Sequence, residues 1–123
     1  MHAVLKAFTV AALVAVSAQP AAAADWSAQD IADGECVGFF AMELGAQTDE
    51  NPDPGLVAIV SYFVGKVEGR NPGMDLTQLL TADLLLRLEA DKAKIGERCS
   101  AEALQMGESM MRAGEALQTM SEA

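Results

Sequence analysis

The sequence predicts a small all-α domain, a bundle of four helices (five if the third segment divides) stapled by one disulfide. Three observations predict it. Apolar residues recur at helical spacing in four segments, and links rich in Pro, Gly, Asn and Asp separate those segments. The two cysteines, Cys36 and Cys99, fall on the apolar sides of the first and last segments.

The chain has 123 residues, of which residues 1–24 read as a secretory signal. Lys6 lies in a short basic start, residues 7–18 are apolar, and Ala22-Ala23-Ala24 precede Asp25. That apolar stretch is too short to span a bilayer, and no later segment is long enough either. Residues 25–123 then form one exported domain of 99 residues, expected in an oxidising compartment. It keeps 18 acids against 7 bases, a formal charge of −11, while the sole histidine, His2, leaves with the signal. Such a charge is repelled by nucleic-acid phosphates and by anionic membranes, so neither is an expected partner. Without histidine, Ser-His and Cys-His catalysis and histidine metal sites are excluded.

In an exported protein an even cysteine pair most simply forms one disulfide, here Cys36–Cys99. Closing a loop of about 60 residues stabilises a small domain by roughly 4 kcal/mol on chain-entropy grounds. The first helix begins near Ser27, with Asp30 three residues on in a capping-box arrangement. Ile31, Cys36, Phe39, Phe40 and Leu44 form its apolar stripe, and Gly45 and a polar run end it. Asp53 caps the second helix and Pro54 opens it. Its run 56–64 is rich in β-branched residues, which would also suit a buried strand. Leu56, Val60, Phe63 and Val67 at helical spacing favour the helix. Ser61, Gly65 and Gly69 make a small-residue stripe that a neighbouring helix could approach closely.

Asn71-Pro72-Gly73 marks a turn, after which Asp75 or Thr77 caps a leucine-rich third segment with an Asp83–Arg87 pair. Gly96 and the charged stretch around Lys92 and Lys94 weaken its end, leaving open whether residues 75–97 form one helix or two. Ser100 is the candidate cap of a fourth helix. There Cys99, Ala103, Met106, Met110, Ala113, Leu117 and Met120 keep a 4-3-4-3-4-3 seam, flanked by Gly107 and Gly114, with Glu108–Arg112 exposed.

Little in this pattern supports chemistry. The acids Asp49, Glu50 and Asp53 lack the spacing of a calcium loop and read as a solvated link with a helix cap. Met106, Met110 and Met111 could suit a soft metal, but their register makes two of them core fillers, and adaptable methionines also suit apolar binding surfaces. Ser61 with Tyr62, and Lys66 with Glu68, have no supporting spacing, and Arg70 reads as a solvated charge at a helix end. No cofactor or metal is expected, and the chain reads as non-enzymatic. With every carboxylate protonated the formal charge swings to about +8, so any pH switch operates in the carboxylate range.

Cys36-Val37-Gly38-Phe39-Phe40, the Pro-led apolar helix from Pro54, Asp75-Leu76-Thr77-Gln78-Leu79 and Cys99 before a helical tail resemble the HdeA/HdeB family of small exported acid-stress chaperones. The resemblance implies a helical periplasmic protein, dimeric near neutrality, that loosens in acid and holds unfolded clients on exposed apolar surface. It places Cys36 and Cys99 in the disulfide, and Phe39 and Phe40 in the core or the client surface. The Met-rich tail and the wide cysteine spacing depart from that pattern. Phe63, Met106 and Met110 are further candidates for client contact. The alternative is a constitutive interaction module or accessory subunit that docks a partner on Ser61, Gly65 and Gly69.

Overall fold

The computed structural model describes residues 25–48 and 50–123; the segment read as a signal, with His2, and Asp49 lie outside them. Three α-helices and one 3-10 turn make up the described chain: α1 (Ala28–Gly45), α2 (Pro54–Arg70), the turn Leu76–Gln78, and α3 (Ala82–Ser121). The helical class therefore stands, but the expected four or five helices are three.

The local start signals act as their chemistry dictates. Ser27 Oγ accepts from the Asp30 amide at 3.0 Å, and the Asp30 carboxylate accepts from the Ser27 amide at 3.2 Å. Asp53 caps α2 by accepting from the Gly55 amide, with Pro54 in the first turn. The run 56–64 is helical because Phe63 and Val67 bury one stripe, with Leu56 and Val60 beside it. Gly73 adopts φ +77° in the turn after Asn71-Pro72, a conformation that favours glycine.

Segments three and four merge into a single helix of 40 residues, which bends at Asp91 (φ −127°, ψ 27°) without ending. Its cap is Thr81, which accepts from the Leu84 amide; Asp75 caps only the short 3-10 turn. Ser100, expected as a cap, lies inside the helix. Gly96 is no terminator because its missing side chain does a different job: a Cβ there would lie 2.7 Å from the Phe39 ring. Close packing, not chain reversal, explains that glycine. Arg87 turns from the expected Asp83 to Glu35 at 3.2 Å.

α1 lies between α2 and α3, which is why residues on several of its sides are buried, including Asp33, Gly34, Val37 and Phe40. Phe40 and Phe63 stack at 6.0 Å, and Leu84, Leu88, Ile95 and Ala103 close the core from α3. The Cys36–Cys99 disulfide is present, with both cysteines fully buried at its centre.

The structure bears on two expectations about helix faces. A 40-residue helix is about 60 Å long, whereas α1 and α2 with 18 and 17 residues reach less than half of that. The seam of α3 is consequently core only through Cys99 and Ala103; Met106 is half-buried and Met110 is exposed, so Met110 is no core filler. Nor does any described helix approach Ser61, Gly65 and Gly69, which are exposed, with no atom within 4 Å of a Cβ placed at either glycine. Gly65→Ala is expected to stabilise the fold by about 0.5–1 kcal/mol through helix propensity. Gly96→Val is expected to cost about 2 kcal/mol by driving into the Phe39 ring. Urea titration of both variants checks the contrast in sign.

Candidate functional site

The densest chemistry lies where the first turns of α1, the last turns of α2 and the middle of α3 meet. Asp30 and Asp33, three residues apart, share one face of α1; Lys66 and Arg70, four apart, share one face of α2. Antiparallel packing brings those faces together. Arg70 Nε donates to Asp30 Oδ1 at 2.7 Å, and its Nη2 donates to Asp33 Oδ2 at 2.5 Å. Lys66 Nζ donates to Asp33 Oδ1 at 2.9 Å and also to Glu102 of α3, which in turn accepts from the Tyr62 hydroxyl at 3.2 Å. The ammonium lies 5.5 Å from the centroids of both the Tyr62 and Phe63 rings, at the edge of the core.

Asp33 is thus a buried carboxylate bridging two cations, and among the described residues no buried side-chain polar atom lacks a partner. The electrostatics follow from that geometry. Burial would raise the Asp30 carboxyl, but hydrogen bonds from Arg70, Ser27 and Asn71 outweigh it and hold the group at about 2, below its ordinary 3.8. Burial likewise opposes the charge on Lys66, yet Glu102 and Asp33 push its value upward. Hydrogen bonds to Asp30 and Asp33 raise Arg70 further. Tyr62 is raised by burial and by the Glu102 charge.

Arg70 is therefore not the solvated helix-end charge expected of it. The missed signal was the paired spacing of two acids on α1 and two bases on α2, which no local rule connects. A second, more exposed ion pair set lies on the other side of α1, where Glu35 accepts from Arg87 and from Arg98 at 2.8 Å. Arg98 also donates to the Ala32 carbonyl at 3.3 Å, so α1 and α3 are held beside the disulfide by polar contacts as well.

Two open apolar grooves flank the core. One, of about 430 Å³, lies between α1 and the start of α3 and is lined by Gly38, Met42, Leu80, Leu84, Leu85 and Leu88. The other, of about 440 Å³, lies between α2 and α3 over Phe40, Ile59, Ala103, Leu104, Gly107 and Met111.

The residues singled out from the sequence fall into three groups. Cys36, Cys99, Phe40 and Phe63 are core, and Phe39 packs against that core while partly exposed. Ser61, Gly65 and Gly69 form an uncovered strip of α2, and Met106 and Met110 lie where α3 leaves the body. The structure does not bring these groups together into one site. No described cluster of His, Cys, Asp and Glu has the arrangement of a metal site, and no described helix is long and apolar enough to cross a membrane. Comparison with protein-family models, curated proteins and solved structures finds no match to this chain.

Proposed function

We propose that this is an exported, non-enzymatic binding protein of HdeA-like type, a periplasmic acid-stress chaperone closed near neutrality by its carboxylate cluster. The observation that carries the reading is the Asp30–Arg70–Asp33–Lys66–Glu102 chain, which ties α2 to both neighbours directly over the phenylalanine core. Asp30 has a folded value near 2 against an ordinary 3.8, so its contribution is present above about pH 4 and is lost as pH falls through 2. Lys66 and Arg70 have raised values, so their charges are present throughout that range and their pairing fades only in strong alkali. Acid therefore neutralises Asp30 and deprives Arg70 of that partner, while Arg70 and Lys66 stay charged four residues apart on α2. Loosening of α2 uncovers Phe40, Phe63 and Val67, the kind of apolar surface that holds unfolded clients.

The oxidised protein followed from neutrality to about pH 2 by near-ultraviolet circular dichroism should lose tertiary signal between about pH 4 and pH 2. In the same interval it should begin to suppress aggregation of an acid-unfolded client. A protein that stays closed, or opens without protecting the client, overturns the reading. One observation favours the alternative of a constitutive module: the Ser61, Gly65 and Gly69 strip is uncovered already in the closed form. Such a module would bind its partner equally well before and after the transition.

A further inference from the structure

Residues 25–123 hold only 7 bases, and three of them, Arg87, Lys94 and Arg98, line one open pocket of about 390 Å³ between α1 and α3. Glu35, Asp91 and Ile95 complete its wall. The register of α3 brings the cations to one face, because positions 87, 91, 94 and 98 are spaced 4, 3 and 4 apart. α1 supplies Glu35 across from them, and the bend of α3 at Asp91 falls within the same stripe.

Glu35 orients the two arginines. Its side chain is only 16% exposed; Oε1 accepts from Arg87 Nε at 3.2 Å and Oε2 accepts from Arg98 Nη2 at 2.8 Å. The two guanidiniums thus converge on one carboxylate, although their positions lie about 16 Å apart along the helix axis. The Ala32 carbonyl fixes Arg98 further. Each arginine keeps donors to spare. Among the described residues, both terminal nitrogens of Arg87, the Nε of Arg98 and the Lys94 ammonium have no hydrogen-bond or ion-pair partner. One buried acid therefore positions two cations and neutralises the charge of one.

We propose that this pocket binds a small tetrahedral oxyanion of the phosphate class, free or as the head of a monoester, between Arg87, Arg98 and Lys94. A flat carboxylate is satisfied by a single guanidinium edge, whereas free donors on three side chains suit an anion whose oxygens point in several directions. The pocket volume lies in the lower part of the range for small-molecule sites. The formal charge of −10 on the whole chain does not decide the matter, since charges beyond about 8 Å are screened at physiological salt. Asp91, which has no ion-pair partner among the described residues, opposes the anion and gives the test its sign. The pocket lies across α1 from the carboxylate cluster and belongs to the closed protein, so it stands or falls independently of acid opening.

Phosphate and glycerol phosphate, added separately at constant ionic strength to the oxidised protein near neutrality, are followed by the arginine Nε–H nuclear magnetic resonances. Saturable shifts are expected at Arg87 and Arg98 and not at Arg70 or Arg112, with a dissociation constant on the order of 1 mM. Tighter saturation by phosphate identifies the free anion as the ligand, and tighter saturation by the ester identifies the head group of an organic molecule. Lys94→Gln, at an exposed side chain without a partner, should weaken binding about tenfold with the thermal midpoint unchanged. Asp91→Asn should tighten it about two- to threefold. Lys92→Gln, beside the pocket but facing Glu43, should leave it unaltered. Unsaturable drift of all four arginines, acetate binding as tightly as phosphate, or a Lys94→Gln protein that binds like the parent overturns the proposal.

Discussion

Replacing Cys36 and Cys99 together with alanine is expected to lower the stability of the neutral fold by about 4 kcal/mol, the largest effect of any change considered. The bridge closes 63 residues of sequence, and opening it returns that freedom to the unfolded chain. A single domain of this size has only about 5–15 kcal/mol in total, so the loss removes a large share of it. The effect is structural as well as entropic. Both sulfurs are buried where α1 meets α3, so their removal also leaves a small void beside Arg98. Urea unfolding of the oxidised parent and the double variant measures the difference directly. Equal midpoints would show that the Glu35–Arg98 and Glu35–Arg87 contacts hold the two helices unaided.

Asp33→Ala is expected to cost about 3 kcal/mol near neutrality, because it leaves two cations facing a buried site without their common partner. Arg70 and Lys66 keep part of their hydration, which places the loss toward the lower end for a broken buried pair. The variant should also imitate acid. Its near-ultraviolet spectrum and its binding of an apolar dye at neutrality should approach those of the parent near pH 2. Asp33→Asn, which keeps an acceptor for one of the two cations, should fall between the parent and the alanine variant. If Asp33→Ala unfolds with the parent's midpoint, the cluster does not hold α2 and the acid-opening reading loses its support.

The boundary between what was legible in the sequence and what was not follows the range of the interactions involved. Ser27 with Asp30, and Asp53 with Pro54, announce helix starts because caps are settled within three or four residues. The stripe of Leu56, Val60, Phe63 and Val67 identified the buried side of α2 for the same reason. Cys36 and Cys99 were legible because only one pairing of two cysteines exists. Gly96 and Ser100 misled because each carries a local breaker or cap signal that tertiary packing overrides. The carboxylate cluster was hidden by distance: Arg70 and Asp30 are 40 residues apart, and a charge at a helix end has a sufficient local explanation. The uncovered end of α3 was hidden for a different reason. Its seam has the same spacing as a buried one, and only the short reach of α1 and α2 leaves it uncovered.

The position of the disulfide has a consequence for how such a molecule recovers. The covalent ring runs from Cys36 to Cys99 and contains all of α2, while Asp30 and Asp33 lie just outside it on the first turns of α1. On the acid-opening proposal, α2 is released at its sides when Asp30 is protonated but remains tethered between two fixed anchors. It cannot diffuse away, and the search by which Lys66 and Arg70 find their partners again is confined to a short tether. Return to neutrality is then a local re-docking and not a refolding from an open chain. On that proposal, a bridge that looks like a simple brace in the closed form acts as the memory of the fold while the fold is undone.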